Sequence, residues 1–386
     1  MTWAVLNRSI FGYLAGCGWR IFNPSDRTRG PHSPLSYNQP VRTALAAVLL
    51  YGLRALGSEG YVGEKACAPC HPGQFATQSV SRHAQALRAV AQSPLPELLM
   101  ARPLRERGGI RFEYELVPEG LAVSAARYQN DDSDVLLEKA DAVLEWAFGA
   151  GSQGMTAVGR IDGRYFEHRI SFFARRNLPA ITLGHPIEPR HSARESLGLL
   201  QEDRVVSRCF GCHATGLERR GGRTDLSGIQ PGIRCERCHG PGEAHVEAAR
   251  KGDGDPRMQR VENDARKSVE FCGQCHRLPE PGRFVAAPEK EDPLNVRFQP
   301  MGLMASLCYQ RGKTLSCVTC HNPHEDARTD AGYYVAKCLD CHASAIGRVR
   351  DCGRASGENC LPCHMAKIEP TPGLIFTDHR IRVRRD

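Results

Sequence analysis

The chain has 386 residues, of which 41% are hydrophobic and 7% aromatic, and it contains 38 Gly and 25 Pro. The length suggests two or three domains, but so few apolar side chains exclude a large aliphatic core in each of them. The formal net charge is +8. Most of this positive charge lies in residues 1–57, with six Arg and one Asp, so it does not indicate a nucleic-acid ligand.

Residues 1–58 are predicted to be a leader rather than folded protein. Residues 1–40 are polar and irregular, with proline-containing breakers. Residues 41–58 place a basic residue before a short apolar run and a small-residue ending, which is typical of a secretory signal peptide. We hypothesise that translation starts at Val41, from a GTG codon, which would leave residues 1–40 untranslated. A lipoprotein-like box at residues 14–17 is the alternative, although Arg8 interrupts the apolar run before it.

The pattern C-x-x-C-H occurs seven times, and 14 of the 17 cysteines fall within it. It is the pattern of covalent c-type haem attachment, in which two thiols form thioethers with the porphyrin and the histidine binds iron. We number the motifs first to seventh in chain order. Their cysteines are Cys67 and Cys70, Cys209 and Cys212, Cys235 and Cys238, Cys272 and Cys275, Cys317 and Cys320, Cys338 and Cys341, and Cys360 and Cys363. Their histidines are His71, His213, His239, His276, His321, His342 and His364.

Zinc binding and thiol redox chemistry also use paired cysteines, but they account for less of the pattern. Zinc sites need C-x-x-C units in twos or with separate histidines, and they give no reason for a histidine at the next position every time. A redox-active C-x-x-C pair is expected once, in a thioredoxin-like βαβ context. We therefore predict seven covalently attached haem c groups, whose apolar porphyrins would take the place of the missing aliphatic core.

The histidines outside the motifs are candidate second axial ligands. His32 is set aside because it lies in the predicted leader. One spare imidazole for each haem suggests bis-histidine iron throughout, which leaves no open position for a substrate. Alternatively, one or two of these histidines are structural, such as His168 on a strand face. An iron would then have an open position or be bound by Met301, Met304 or Met365. The candidates are His83, His168, His185, His191, His245, His324 and His379.

Residues 59–190 divide into a first haem unit and a segment without haem motifs. The unit, residues 59–108, has helical periodicity over residues 74–90, with His83 in the middle. Residues 109–190 alternate as strands and are expected to form a small antiparallel β insert. Its strands are predicted at residues 110–116, 121–128, 155–160 and 164–173, with an Asp-Gly turn between the last two.

Residues 191–386 are expected to form a six-haem cytochrome c domain. Helices are predicted at residues 192–206 and 248–271, and a proline-rich loop at residues 281–300. A Gly-Pro-Gly turn after His239 should direct His245 to a different haem. The expected fold class is mostly α with long loops and the small antiparallel β insert, built around haems and with little regular secondary structure.

Two cysteines of this region lie outside the motifs. Cys308 and Cys352 are candidates for a disulfide in an oxidising compartment, with free thiols or sulfur ligation as the other options. The chain ends in a basic tail that is either a docking segment for an acidic partner or a solvated terminus.

With these residues identified, the chain resembles the multihaem cytochromes c of the cytochrome c-554 type, within the wider hydroxylamine-oxidoreductase and nitrite-reductase-like group. The resemblance spans residues 60–386, tightly at the motifs and loosely over the β insert. It implies distal-ligand roles for His83, His245, His324 and His379, and haems in close stacked or edge-on pairs. The matching stretches are residues 61–67 with 81–84, residues 235–245, residues 316–324, and residues 359–365 with 377–381.

One departure from that group bears on activity. Its nitrite-reductase and tetrathionate-reductase members resemble this chain but carry a C-x-x-C-K motif, whose lysine binds the catalytic haem. Every motif here ends in histidine, which argues against those two reactions.

The favoured function is electron transfer between redox partners of the periplasm or cell surface, rather than an enzymatic reaction. The alternative is a multihaem oxidoreductase acting on a small nitrogen or sulfur compound at one open haem. Either function requires export, because bacteria attach c-type haem outside the cytoplasm.

A ferric bis-histidine haem with two propionates carries a charge of about −1, so seven of them would outweigh the positive charge of the mature chain. Protein partners are expected and nucleic acid is not, whereas a membrane complex or filament stays undecided.

Overall fold

The computed structural model describes residues 60–102, 104–253, 258–259, 264–279, 297–342 and 359–383. Several sequence predictions fall outside these residues. They are the leader and its lipoprotein-like box, His32, Cys352, most of the proline-rich loop, and the last residues of the basic tail.

A nine-stranded antiparallel sheet occupies the first half of the described chain. Its central order is β2-β3-β4-β5-β6-β7-β8, while β1 pairs with β5 and β9 pairs with β7. The strands are β1 (Leu87–Ala89), β2 (Leu104–Glu106), β3 (Ile110–Val117), β4 (Gly120–Tyr128), β5 (Leu136–Phe148), β6 (Gly154–Ile161), β7 (Arg164–Phe173), β8 (Leu178–Ile181) and β9 (Gly198–Leu200). Short two-stranded ribbons follow: β10 (Ala214–Thr215) with β13 (Gln230–Pro231), β11 (Glu218–Arg220) with β12 (Arg223–Asp225), and β14 (Lys367–Thr371) with β15 (Leu374–Thr377).

The sheet curls around its own core. The Tyr114 hydroxyl of β3 lies 2.9 Å from Nε2 of His168 in β7, although four strand steps separate these strands in the sheet. In a flat sheet that separation would be about 19 Å. The curl lets apolar side chains of β3 to β7 meet on one face, where Phe112, Phe166 and Ile170 are buried together.

The hairpin of β6 and β7 confirms the turn predicted from Asp-Gly. Ile161 pairs with Arg164, and both Asp162 and Gly163 have positive φ, 50° and 72°. A two-residue turn with positive φ at both positions matches the right-handed twist of its strands. The predicted strands at residues 110–116 and 121–128 are also present, as β3 and β4.

The prediction of a mostly α fold with a small β insert is wrong. The sheet begins at Leu87 and ends at Leu200, beyond both limits of the predicted insert. The longest of the strands that sequence reasoning missed is β5, which has thirteen residues. It is rich in Leu, Ala, Glu and Lys, which favour helix intrinsically. Pairing with β4 and β6 overrides that preference here.

The helices are short, and several end at a motif histidine. They are α1 (Pro72–Gln78), α2 (Leu95–Met100), α3 (Ala193–Leu197), α4 (Asp203–His213), α5 (Cys235–His239), α6 (Glu243–Lys251), α7 (Ala265–His276), α8 (Gln299–Met304), α9 (Leu307–Gly312), α10 (Cys317–Cys320), α11 (Ala331–His342) and α12 (Leu361–His364). Among the described residues, none of the helices is long and apolar enough to cross a bilayer.

The helix predicted at residues 74–90 is wrong beyond Gln78. Between α1 and β1 only isolated local turns form, and two of the backbone carbonyls accept from distant segments. The carbonyl of His83 accepts from Ile233 N at 2.9 Å, and that of Ala86 accepts from Gly149 N at 2.9 Å. This segment therefore connects the first motif to the sheet.

The helices predicted at residues 192–206 and 248–271 are each divided. In the first, Gly198 has φ of 148° and runs so close to the backbone of β7 that a Cβ would collide with the carbonyl of Glu167. The chain therefore leaves α3, forms β9 and begins α4 at Asp203. In the second, α6 ends at Lys251, where Gly252 adopts the left-handed conformation that ends many helices.

Candidate haem sites

The local geometry of the motifs fits covalent attachment of one planar group to each. In three motifs the backbone N–H of the histidine donates to the backbone carbonyl of the first motif cysteine. The N–O distance is 2.9 Å for His71 and His321 and 3.0 Å for His364. These bonds close one helical turn, so residues i, i+3 and i+4 share a face. Both thiols and the imidazole can therefore reach the same porphyrin.

Four motif histidines each face a histidine from a distant part of the chain. His71 faces His245 with ring centroids 6.4 Å apart, and His239 faces His324 at 6.1 Å. The other two pairs are His321 with His379 at 6.2 Å, and His276 with His83 at 6.0 Å.

These separations fit an iron between the two rings. Metal–imidazole bonds are about 2 Å long and the ring centroid lies about 1 Å behind the bound nitrogen, so two imidazoles across one iron have centroids about 6 Å apart. Direct stacking of aromatic rings also spans this distance. Four pairs within a range of 6.0 to 6.4 Å, each with one motif histidine, favour a common axial geometry.

Backbone carbonyls orient several of these rings. Nδ1 donates to a carbonyl in His379 (to Thr377, 2.9 Å) and in His239 (to Gln259, 3.1 Å). A metal-bound histidine usually donates its other N–H in this way, which fixes the tautomer and leaves Nε2 for the metal. Sequence reasoning missed these acceptors, because a backbone carbonyl carries no side-chain signature.

Burial favours the neutral, metal-binding form of six imidazoles in the described residues. Loss of solvent lowers the pKa of each buried ring below its usual value, because the charged form is disfavoured in an apolar surrounding. The rings with a lowered pKa are His83, His213, His276, His321, His324 and His379.

The chain is similar to several known proteins. The family described as "Cytochrome c554 and c-prime" matches residues 182–240, which include the second and third motifs. The dissimilatory sulfite reductase MccA of Wolinella succinogenes is 21% identical over 380 residues, which cover 79% of this chain and 50% of that protein. The chain thus spans about half the length of this curated relative. The crystal structure of the outer cell wall cytochrome OcwA aligns with a TM-score of 0.46 and 17% identity, covering 84% of this chain and 80% of that one.

The chain is a multihaem c-type cytochrome. Covalently bound c-type haem is therefore its cofactor. Among the described residues, no three side chains of His, Cys, Asp or Glu converge on one metal position.

Interactions between cysteine side chains link the motifs of the cytochrome. Three of them are hydrogen bonds, and they join Cys67 to Cys235, Cys212 to Cys275, and Cys272 to Cys317. Electrostatic interactions also join Cys238 to both Cys272 and Cys275, Cys320 to Cys338, and Cys338 to Cys360. Every motif is thereby linked to at least one other. The fourth motif contacts the second, third and fifth.

Three motif histidines face no histidine within the described residues: His213, His342 and His364. His213 donates Nδ1–H to the carbonyl of Ala86 at 3.0 Å, and its ring packs against Phe148 at a centroid distance of 5.2 Å. His342 is exposed and His364 is half-buried.

Three candidate distal histidines lie away from the facing pairs. His168 is fully buried, with Nε2 against the Tyr114 hydroxyl and Nδ1 donating to the carbonyl of Leu197 at 2.7 Å. Neither nitrogen is left for an iron. His185 is buried with Nε2 3.2 Å from Oε2 of Glu167, and His191 is exposed.

Cys308 is a free thiol in the described structure. Its predicted disulfide with Cys352 stays a prediction, since Cys352 lies outside the described residues. Met301, Met304 and Met365 also stay candidates for sulfur ligation.

Proposed function

We propose that this cytochrome binds seven haems and relays electrons between redox partners outside the cytoplasm. The observation that carries the proposal is the network of cysteine interactions that links all seven motifs, because a porphyrin bound at each motif would lie near a porphyrin bound at one or more of the others. Electron transfer weakens steeply with distance, so a continuous series of neighbours is what a relay requires.

The four facing histidine pairs support a carrier rather than a catalyst at those haems. Iron held by imidazole on both sides exchanges electrons and has no free position for a substrate. The ligand sets we propose are His71 with His245 for the first haem, His239 with His324 for the third, His276 with His83 for the fourth, and His321 with His379 for the fifth. His168 is left out because both of its nitrogens are engaged by protein atoms.

Location outside the cytoplasm follows from the chemistry of attachment and from the signal peptide predicted at residues 41–58. The cytochrome would then meet its donor and acceptor in the periplasm or at the cell surface. Propionate charge on seven haems would make the surface more acidic than the sequence indicates, so we expect partners with basic docking surfaces.

The mass of the mature protein tests the number of haems. We expect an intact mass that exceeds the polypeptide by seven haem groups, and by six in a variant with Cys317→Ser and Cys320→Ser. Stepwise reduction of the purified protein by a low-potential donor, followed by transfer to a soluble acceptor, then tests the relay. A polypeptide without haem, or haems that accept electrons but do not exchange them, would contradict the proposal.

A second candidate function is oxidation or reduction of a small molecule at the second haem. His213 faces no histidine among the described residues. The buried His185 contacts the half-buried Glu167, and the Glu167 carboxylate interacts electrostatically with Cys209 of this motif. The relative MccA is named a sulfite reductase. A high-spin ferric signal in the resting protein that changes when sulfite is added would favour this function. A spectrum that is low-spin throughout would exclude it.

A further inference from the structure

Glu236 is a buried carboxylate in the middle of the third motif, C-E-R-C-H, and only 1% of its surface is exposed. Burial of an ionised carboxylate is costly unless hydrogen bonds compensate for the lost water. Here Oε1 accepts from Val62 N at 2.9 Å and from Gly242 N at 2.8 Å. Oε2 accepts from Gly63 N at 2.8 Å and from Gln230 Nε2 at 3.3 Å.

The backbone donors belong to the two segments that approach the first haem. Val62 and Gly63 lead into a 3₁₀ turn, Glu64–Ala66, that ends at Cys67 of the first motif. Gly242 is the N-cap of α6, which carries His245. One carboxylate thus bonds to the segment before the proximal ligand and to the segment before the distal ligand.

The two segments also bind each other, which leaves little freedom around the carboxylate. Glu243 N donates to the carbonyl of Gly60 at 2.9 Å. A Cβ on Gly242 would lie 3.1 Å from Cγ2 of Val62 and 3.2 Å from Oε1 of Glu236. The neighbouring Arg234 forms an ion pair with Glu64 at 2.9 Å. The position of His245 relative to His71 is therefore fixed through this junction.

We infer that Glu236, a residue of the third haem motif, is a positioning residue for the first haem, where it holds His71 and His245 on opposite sides of the iron. The inference rests on the bis-histidine ligation proposed above. It also means that correct ligation of the first haem depends on a folded third motif. The two motifs are already in contact through Cys67 and Cys235.

The test replaces the carboxylate by an amide of the same shape. The glutamine of E236Q has one carbonyl oxygen that accepts hydrogen bonds and one NH₂ group that cannot. Its NH₂ group must therefore face a backbone N–H donor, either that of Gly63 or those of both Val62 and Gly242. We expect the intact mass of E236Q to show seven bound haems. Its spectrum should contain a new high-spin ferric signal whose intensity accounts for no more than one haem. Added imidazole should return that haem to the low-spin form.

The matched control removes a carboxylate from another motif. Asp340 lies between the two cysteines of the sixth motif and is 68% exposed at its side chain. D340N is expected to keep the wild-type spectrum and reduction potentials. If E236Q gives the same spectrum and potentials as D340N, Glu236 does not position the ligands and the inference is overturned.

A reference variant separates this inference from the ligation on which it rests. H245A should give the full high-spin signal of one haem, and the signal of E236Q should match it in shape. If H245A stays low-spin, the proposed ligand pair of the first haem is wrong. If E236Q matures with fewer than seven haems, E236D is compared with D340N instead. E236D keeps the carboxylate but shortens the side chain by one methylene. An unchanged low-spin spectrum there overturns the inference.

Discussion

The ring nitrogens of the buried histidines have two kinds of surroundings. In His379 and His239 one nitrogen donates to a carbonyl, and the ring centroid lies 6.2 Å and 6.1 Å, respectively, from that of a second imidazole. In His168 both nitrogens contact protein atoms, and burial lowers its pKa to about 4. Side chains of one type thus differ in role because of the atoms around each ring, which sequence spacing does not specify.

The low pKa of His168 predicts acid-sensitive stability. The unfolded chain binds a proton at this imidazole below pH 6.5, whereas the folded protein does not until about pH 4. Stability is therefore complete above pH 6.5 and is lost as the pH falls towards 4, by up to about 3 kcal/mol. H168Q should show a smaller fall in melting temperature between pH 7 and pH 5 than the wild type. Substitution of the exposed His191 by Gln is the control, and an equal fall in H168Q would contradict the prediction.

The relative orientation of paired rings predicts distinct EPR signals. The planes of His83 and His276 are 74° apart, whereas those of His239 and His324 are 5° apart. Near-perpendicular imidazoles leave two iron d orbitals almost equal in energy, which produces a low-spin signal with a large maximum g value. Parallel imidazoles produce a rhombic signal. We expect both types in the oxidised protein, and loss of only the large-g signal in H83A. Loss of the rhombic signal instead would exclude this pairing.

Among the elements, α4 links haem attachment to the sheet. This helix ends in the second motif, and its Phe210 is 1% exposed. The Phe210 ring packs against Phe148 at 5.0 Å, Trp146 at 5.8 Å and Tyr165 at 6.2 Å between centroids. These three aromatic residues lie on β5 and β7, so the sheet is the support on which the second motif is fixed.

Removal of the Phe210 ring should destabilise the protein. F210A removes a buried aromatic ring and is expected to lower the free energy of unfolding by about 3–5 kcal/mol. L307A, at a leucine that is 58% exposed, is the control and should change it by less than about 0.5 kcal/mol. Urea unfolding monitored by haem absorbance measures both. A small effect of F210A would mean that haem attachment alone fixes α4.

At the scale of the whole molecule, the contacts between motifs are branched. The first motif contacts the third, the fourth contacts the second, third and fifth, and the fifth continues through the sixth to the seventh. A haem at the fourth motif would therefore lie on every route between the early and late motifs. A haem at the first motif would lie at an end.

This branching predicts unequal effects of the same substitution. Methionine in place of an axial histidine raises the potential of a haem, and each rise of about 59 mV makes the next electron step about tenfold less favourable. H83M, at the fourth haem, should slow electron exchange among the haems after flash reduction by tenfold or more. H245M, at the first haem, should leave that exchange unchanged. Equal effects of the two variants would contradict a central role for the fourth motif.

The sequence by itself predicted where haem would be attached, because two thiols and an imidazole within five residues can meet on one helical turn whatever the surrounding fold. It also predicted the β6–β7 hairpin, since an Asp-Gly turn acts locally. The tertiary structure decided the rest. His71 and His245 are 174 residues apart, and hydrogen bonds to Glu236 join the two segments that carry them. The strand β5 has the composition of a helix, and pairing with its neighbours makes it a strand. Ligand choice and sheet formation depend on contacts between distant segments, and these are decided by packing rather than by local spacing.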